Sequence, residues 1–373
     1  MSVEIWPSLP LEQLIPAVDQ TQRRELEWLL NELQETLQNL KHGLEDCYAL
    51  LAPVDPGSTL VVSTHRNEIV KGHITRVGTR IVKGTLTLKL RTHPHQTYTI
   101  NPDHPIQLAP LANLHALLTE SIDLLTLTLG YTYSPPSSTT SPTPGTPPSP
   151  THSTATFIAA QLRLLSQSLT EAASLLKGPQ PLTASDATWV SKSCPPAHFL
   201  PRPAANLSLH WGVQESQLVL WLRALEPADA PVNLGLKFAL AIGTARRLEH
   251  DEAEQIFMYT YPEGAEPPAT TAGAAAASSG GGDGGQVQKS RNASISSREN
   301  NNTVASSSST TANTRGAGSK NENEAQVFVR EKVRVESADP ALMSLGTKLA
   351  ALAKTLSLAR GNLAVVMGED PEW

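Results

Sequence analysis

The chain has 373 residues, a formal net charge of −6 and a pI near 6.0. Because binding to nucleic-acid phosphates needs a concentrated basic patch, this charge argues against nucleic acid as the main partner. The opening residues lack the basic and apolar regions of a signal peptide, and we find no run of about 18 apolar residues, so we expect no membrane-spanning segment. The only two cysteines, Cys47 and Cys194, suit a reducing compartment such as the cytoplasm.

The first predicted helix, over residues 20–52, carries one narrow apolar stripe. Asp19 is placed to cap its N-terminus, with Gln22 at capping-box spacing, and Pro53 closes it. The stripe recurs at alternating steps of three and four residues, which is the period of a coiled coil, so a partner helix must cover it. Its members are Leu26, Leu30, Leu33, Leu37, Leu40, Leu44, Cys47 and Leu51.

Residues 59–100 switch to a period of two, which is typical of strands with one solvent-exposed face. The segment also repeats itself: residues 69–75 and 81–87 both begin Ile-Val-Lys-Gly, and Gly78 lies between them at a predicted turn. This pattern predicts an antiparallel meander of three or four strands.

A second helix is predicted over residues 106–129 and a third over 155–177, where Gly178 supplies a left-handed C-cap. Between them, residues 134–154 are nearly all Ser, Thr, Pro and Gly. Such a segment cannot bury enough apolar surface to offset its ordering entropy, so we expect a disordered linker. The third helix carries a second stripe of the same period, formed by Ile158, Leu162, Leu165, Leu169, Ala172 and Leu176.

More alternating strands follow the third helix on both sides of a low-complexity insert. The insert, residues 265–325, consists mainly of Ala, Ser, Gly, Asn and Thr and is predicted to be disordered. The predicted strands lie at residues 207–211, 217–222, 233–238, 256–261, 326–330 and 332–336.

The last predicted helix begins where Asp339 can act as N-cap and Pro340 can fill the first turn, and it runs to about Met367. It carries a third stripe at the same spacing. The members of this stripe are Leu342, Leu345, Leu349, Leu352, Leu356, Ala359, Leu363 and Val366.

These elements predict an α+β fold, because runs of strands are separated by helices rather than alternating strictly with them. We expect an elongated antiparallel four-helix bundle with coiled-coil-like leucine stripes, plus a separate, mostly antiparallel β-sheet domain. The predicted helical domain is discontinuous and combines residues 1–55, 106–178 and 338–368. The predicted β domain combines residues 56–105, 200–262 and 326–337.

Signals for chemistry are weak throughout the chain. His93, His95 and His104 lie close in sequence, but neither Cys nor a carboxylate follows at zinc-ligand spacing. The acidic run at residues 249–254 lacks the alternating oxygen ligands and central glycine of a calcium loop. We therefore predict no metal, no cofactor and no catalytic residue, and an enzyme of unrecognised type ranks last among the hypotheses.

Both low-complexity segments contain candidate phosphorylation sites, and phosphorylation there is a hypothesis for tuning partner binding. The linker also has one minimal PxxP spacing, from Pro144 to Pro147, which ranks below phosphorylation because such linkers produce that spacing freely. The candidate sites are Ser141, Thr143, Thr146 and Ser149 before proline, and Ser294 three residues after Arg291.

A leucine stripe also raises the alternative of a basic-zipper transcription factor, which needs a basic helix continuous with its heptads. Ahead of Leu26 only Arg23 and Arg24 are basic. Pro10 and Pro16 are expected to interrupt a helix there, so the pattern disfavours DNA binding.

A collinear series of segments resembles the Rogdi family, whose members are described as leucine-zipper proteins. The series comprises the opening at residues 23–33 with its heptads, the sheet segment 68–75, the helix end 121–126, residues 333–336, and the Asp339–Pro340 cap with the terminal helix. The segments 134–154 and 265–325 are insertions that compact family members lack and that filamentous-fungal proteins often carry. The region 179–262 resembles the family only in its strand pattern.

The resemblance implies a non-catalytic subunit of a RAVE-type complex, which promotes assembly of the vacuolar and endosomal proton-pumping V-ATPase. It implies as partners a large propeller-containing scaffold subunit, a Skp1-like adaptor and the peripheral sector of the V-ATPase. It also implies a cytoplasmic protein recruited peripherally to vacuolar and endosomal membranes. The alternative hypothesis, from the residues alone, is a scaffold or adaptor that self-associates through the first leucine stripe.

Overall fold

The computed structural model describes residues 10–133, 150–179, 186–229, 255–261 and 324–369. The helices are α1 (Leu11–Ala49), α2 (Ala109–Tyr133), α3 (Pro150–Lys177), α4 (Thr188–Ser191) and α5 (Pro340–Met367). The strands are β1 (Ser58–Ser63), β2 (Val70–Val77), β3 (Arg80–Leu88), β4 (Gln96–Ile100), β5 (Ile106–Gln107), β6 (Phe199–Leu200), β7 (Leu207–Gln214), β8 (Gln217–Pro227), β9 (Ile256–Thr260) and β10 (Glu324–Ala338).

The first sheet confirms the predicted meander. Its strand order is β1-β2-β3-β4-β6, with β5 beside β3, and all the pairs are antiparallel. The two halves of the internal repeat pair with each other, Gly72 opposite Leu86, and Gly78 turns between them with a positive φ of 59°. The short strand β6 brings the chain after α3 back to this sheet.

The second sheet is antiparallel in the order β7-β8-β10-β9. It joins residues far apart in the chain, for example Val333 of β10 opposite Leu222 of β8. The two predicted strands at 326–330 and 332–336 are one strand with a bulge between Val329 and Glu331. The predicted strand at 233–238 lies outside the described residues.

The predicted fold class, an elongated antiparallel four-helix bundle with a separate β-sheet domain, is wrong. The described residues form five helices and two antiparallel sheets. Buried side chains of α1, α2, α3, α5 and both sheets belong to one contiguous hydrophobic cluster. The prediction failed because alternation identifies a strand but not its partners: β8 is buried on both faces from Leu218 to Leu225, so it has no solvent-exposed face at all.

The four long helices pack pairwise and form what we call the helical layer. In this layer α1 lies against α2 and α5, and α3 lies against α2 and α5. A smaller second cluster, with Trp189, Phe257 and Tyr259 among its members, covers the outer face of the second sheet.

The start of α1 differs most from its prediction. The helix begins at Leu11, after Pro10, runs through Pro16 and ends at Ala49, so Asp19 lies inside the helix instead of capping it. Pro16 stands in the second turn, where its missing N–H removes only one helical hydrogen bond. Pro16 therefore does not interrupt the helix as the sequence suggested, whereas the helix does begin only after Pro10.

The other helix boundaries moved by a few residues. α2 begins at Ala109 and ends at Tyr133, and α3 begins at Pro150, so residues 150–154 of the predicted linker are helical. The rest of that linker, and residues 265–323 of the predicted insert, lie outside the described residues.

Asp339 caps α5 as predicted. Its side chain accepts hydrogen bonds from the backbone N–H groups of Ala341 and Leu342, and Gly368 ends the helix in a left-handed conformation. The same carboxylate accepts a 2.6 Å bond from Nε of Arg76 on β2, and both side chains are almost completely buried. One residue therefore starts the last helix and ties it to the first sheet.

Candidate interaction surface

The leucine stripe of α1 faces the interior of the helical layer. Leu30 is only partly buried, and the neighbouring Leu29 is buried in its place. The buried members are Leu26, Leu33, Leu37, Leu40, Leu44, Cys47 and Leu51.

The stripes of α3 and α5 face the same interior. Leu352, which lies over Gly43 of α1, is only partly buried, and Val366 is partly buried as well. The buried members are Ile158, Leu162, Leu165, Leu169, Ala172 and Leu176 on α3, and Leu342, Leu345, Leu349, Leu356, Ala359 and Leu363 on α5.

Each stripe is thus covered by other helices of the same chain. An interaction role for the stripe residues stays a prediction, because it requires a partner to displace one of these helices. The surfaces open to a partner are the outer faces of the helices and sheets.

The first turns of α1 provide one such surface. Residues 12–25 are exposed along the whole stretch, so this part of the helix projects beyond the rest of the helical layer by about 20 Å. It carries three exposed apolar side chains, Leu14, Ile15 and Val18, and the exposed Trp28 follows about three turns after Val18. Contiguous exposed apolar residues of this kind mark interaction sites more often than isolated ones do.

The charges of the helical layer are unevenly distributed. Together α1 and α2 carry three Lys or Arg against ten Asp or Glu, a formal charge of −7. Together α3 and α5 carry five Lys or Arg against one Glu, a formal charge of +4. Because α1–α2 and α3–α5 are opposite sides of the layer, one side is acidic and the other basic.

One ion pair joins the two sides. Nζ of Lys348 on α5 lies 2.7 Å from a carboxylate oxygen of Asp46 on α1. The hydrogen bond from Lys348 lowers the pKa of Asp46, and the same bond raises the pKa of Lys348. Both side chains are solvent-exposed, so the pair orients the helices more than it stabilises them.

The candidates for metal or redox chemistry do not assemble into a site. Within the described part of the chain, no three His, Cys, Asp or Glu side chains come together as metal ligands. His93 hydrogen-bonds Asn206 across 3.0 Å, whereas the carbonyl of His104 accepts a bond from His198. Burial raises the pKa of Cys47 and of Cys194 to about 11, which keeps both as thiols.

The five candidate phosphorylation sites, Ser141, Thr143, Thr146, Ser149 and Ser294, lie outside the described residues. Their role stays a prediction.

Helix α5 is long and apolar enough, by length and composition alone, to cross a membrane. The prediction of no membrane-spanning segment was based on the lack of an unbroken run of about 18 apolar residues, which this helix also lacks because Lys348, Lys354 and Arg360 lie within it; that expectation stays a prediction. In this structure its leucine stripe packs against α1 and α3.

Comparison with known proteins identifies the family. A family model described as Rogdi leucine zipper containing protein matches residues 25–364. The chain belongs to the Rogdi family. No curated protein matched the chain. Rogdi membership indicates a protein-interaction role rather than an enzymatic one.

The Rogdi match includes both sheets and all three leucine stripes except Val366, and it begins at Glu25, the last residue of the exposed stretch of α1. The projecting turns with Leu14, Ile15 and Val18 are therefore outside the region that defines the family. The basic α3–α5 side lies within it.

Sequence reasoning missed the charge asymmetry of this surface and one buried ion pair of the fold. The charge asymmetry was readable by counting charges per helix, but it needs the knowledge that α3 and α5 are neighbours. The Arg76–Asp339 pair joins residues 263 positions apart, and no local pattern indicates it.

Proposed function

We propose that this chain is the Rogdi-type, non-catalytic subunit of a RAVE-type complex. In this role it promotes assembly of the vacuolar and endosomal V-ATPase by protein–protein binding. The observation that supports the proposal is the family match across residues 25–364, joined to the resemblance of residues 23–33 and 68–75 to the family's opening segments. A covered helix interior fits a protein that works through its outer surface.

The proposed partners are a large propeller-containing scaffold subunit, a Skp1-like adaptor and the peripheral sector of the V-ATPase. The proposed location is the cytoplasm, with peripheral recruitment to vacuolar and endosomal membranes through those partners.

Affinity purification of the tagged full-length chain from cells tests this function. We expect a propeller-containing scaffold and peripheral-sector subunits of the pump to co-purify, and deletion of the gene to impair vacuolar acidification. A matched control is the tagged Leu33→Asp variant, which should lose the partners because Leu33 is buried in the helical layer. Normal acidification in the deletion strain, together with purification of the chain without pump subunits, would refute the proposal.

A second candidate function, a self-associating scaffold, is favoured by the exposed apolar turns of α1. Leu14, Ile15 and Val18 are 42%, 56% and 46% exposed, although a helix in water normally presents polar residues there. Sedimentation of the purified chain tests it. A dimer that Leu14→Asp with Val18→Asp dissociates, and that Gln13→Asp with Thr21→Asp on the same turns leaves intact, would establish self-association. A monomer at all concentrations would exclude it.

A further inference from the structure

The basic side of the helical layer contains an open groove of about 600 Å³ between α3 and α5. All the residues that line it have polar or charged side chains; they are Arg163, Ser166, Gln167, Thr170, Glu171 and Ser174 of α3 and Arg360 of α5. From Arg163 to Ser174 the groove runs about 16 Å along α3. The two guanidinium groups supply its hydrogen-bond donors, whereas the hydroxyl groups of Thr170 and Ser174 donate to the backbone carbonyls of Ser166 and Glu171 and present acceptor oxygens to the groove.

The two arginines lie at the same end of this groove. Nη1 of Arg360 donates a 3.0 Å hydrogen bond to Oγ of Ser166, which stands one helical turn after Arg163. Guanidinium groups bind carboxylates with paired, charge-assisted hydrogen bonds, so this end of the groove suits acidic side chains.

The surroundings strengthen the same preference. The chain as a whole is acidic, with a net charge of −6, yet α3 and α5 together carry +4. An acidic partner is therefore attracted to this side and repelled by the α1–α2 side, which carries −7. Such complementarity directs encounter and fixes orientation.

Glu171 makes the groove unfavourable for ligands that are negatively charged along their whole length. It lies two helical turns from Arg163, about 12 Å along the groove, and repels a uniform polyanion there. A nucleic acid or an anionic lipid surface presents negative charge everywhere, whereas a peptide can place its acidic residues at one end only.

We propose that the α3–α5 groove binds an acidic peptide segment of another protein. Acidic side chains of the segment pair with Arg163 and Arg360, and its N–H groups donate to the hydroxyl oxygen of Thr170, whose own hydrogen is donated to the carbonyl of Ser166. This inference rests on the proposed function only in treating the chain as a protein-binding module.

Fluorescence anisotropy with the purified full-length chain tests the groove. The probe is a labelled peptide of about 12 residues with alternating Glu and Ala, ~18 Å long as a helix, and the comparison peptide has Lys in place of Glu. We expect binding of the Glu peptide alone, weakened by added salt. Failure of the Glu peptide to bind, or equal binding of the Lys peptide, would overturn the proposal.

Charge-reversal variants locate the site. The double variant Arg163→Glu with Arg360→Glu should lower the affinity for the Glu peptide by about tenfold or more. A tenfold loss corresponds to ~1.4 kcal/mol of binding free energy. The matched control, Arg23→Glu with Arg24→Glu, reverses two exposed arginines on α1 and should leave the affinity unchanged. Equal weakening by both pairs would mean that net charge alone attracts the peptide, and the groove would be excluded.

A gain-of-affinity variant removes the ambiguity of misfolding. Glu171→Lys takes away the one acidic residue of the groove and should tighten binding of the Glu peptide severalfold, which a damaged fold cannot do. Unchanged or weaker binding would count against the groove.

Two further outcomes would also overturn the proposal. One is binding to phosphatidylserine vesicles that depends on Arg163 and Arg360 while the peptide does not bind. The other is a dimer, seen by sedimentation, that reversal of the two arginines dissociates, since the acidic side of a second copy would then be the occupant. Because these measurements use the purified chain alone, their failure leaves the co-purification test of the proposed function intact, and the reverse also holds.

Discussion

Asp339 serves two structural purposes with one carboxylate. It caps α5 through Ala341 and Leu342 and it neutralises Arg76, whose Nη1 also donates to the carbonyl of Gly78. A buried ion pair contributes little net stability when intact, but removal of one partner leaves an uncompensated buried charge. The residue therefore matters more as a fixed junction between a helix and a sheet than as a favourable interaction.

This junction predicts a non-additive pair of substitutions. Asp339→Asn keeps a capping side chain but strands the Arg76 charge, and we expect it to lower the free energy of unfolding by about 3–5 kcal/mol. Arg76→Met should cost a similar amount, because the Asp339 carboxylate then lacks its partner. The double variant should lose less unfolding free energy than the sum of the losses in the two single variants. Urea unfolding of the four proteins measures the coupling, and simple additivity would show that the two residues act independently.

His210 is a titratable group held neutral by its surroundings. Its ring stacks on Trp221 at 5.1 Å, and its Nδ1–H donates to the carbonyl of Lys192. Burial, as the main cause, lowers the pKa of His210 from 6.5 to about 4, although the bond to Lys192 opposes that shift. The unfolded chain therefore takes up a proton on His210 at a higher pH than the folded chain does.

The sign of the pH effect follows from that difference. Since the unfolded state binds more protons between pH 6.5 and pH 4, the His210 contribution to stability is complete above pH 6.5 and is lost as the pH falls towards 4. We expect the free energy of unfolding in urea to fall from pH 7 to pH 5, and His210→Gln to reduce this dependence. His42→Gln, at an exposed position, is the control and should leave the pH dependence unchanged. An unchanged pH slope in His210→Gln would contradict the assignment.

At the scale of an element, α1 is held in place by the burial of one leucine stripe against the other helices. Leu33 is buried in the helical layer, and Glu35 is exposed two positions further on. Leu33→Asp should lower the free energy of unfolding by several kcal/mol, because a charge is then buried without a partner, whereas Glu35→Ala should change it by less than about 0.5 kcal/mol. Chemical denaturation of both variants measures this. Equal stability would mean that the stripe does not face the core.

Gly43 lets α1 approach α5 closely. A β-carbon at position 43 would lie 2.5 Å from Cδ2 of Leu352, so the glycine leaves room for that side chain. Gly43→Val should destabilise the protein by about 1–3 kcal/mol through overpacking, in spite of its gain in helix propensity. In a double-mutant cycle, Leu352→Ala should relieve part of that cost. The absence of coupling between the two positions would show that the helices separate without penalty.

Elements were predictable from sequence where their signals are local. The Asp339–Pro340 cap, the Gly78 turn and the repeated strand pattern all act within a few residues, and the structure has α5 and the β2–β3 hairpin where they indicate. The start of α1 was missed because capping residues were given more weight than the helix's tolerance of Pro16 near its N-terminus. Local sequence patterns therefore predicted these element boundaries, except at the start of α1, where the helix extends beyond the residues that pack against the rest of the protein.

At the scale of the whole molecule, the features that sequence could not predict are the long-range ones. The pairing of Val333 with Leu222 joins β10 to β8 in the second sheet, and the hydrogen bond from Arg360 to Ser166 spans 194 positions. Alternation and heptad spacing define which face of an element is apolar but not which element covers it. The candidate groove depends on that missing information, since neither α3 nor α5 forms it alone.

The shared core predicts how the molecule unfolds. Buried side chains of the long helices and of both sheets are contiguous, so the described parts should unfold as one cooperative unit. Three buried tryptophans, Trp189, Trp211 and Trp221, report on the second sheet, and far-ultraviolet circular dichroism at the helical band reports on the helices. We expect both signals to change at the same urea concentration.

The Leu37→Ala variant tests whether the helices and the sheets unfold together. Leu37 lies on α1, is fully buried and is distant in sequence from the tryptophans of the second sheet. The cavity should cost about 2–5 kcal/mol and shift the circular dichroism and tryptophan transitions together to lower urea. If the fluorescence transition stayed in place while the helical signal moved, the helices and sheets would be energetically separate in spite of their contiguous core. The discontinuous helical and β units predicted from the sequence would then be true folding domains.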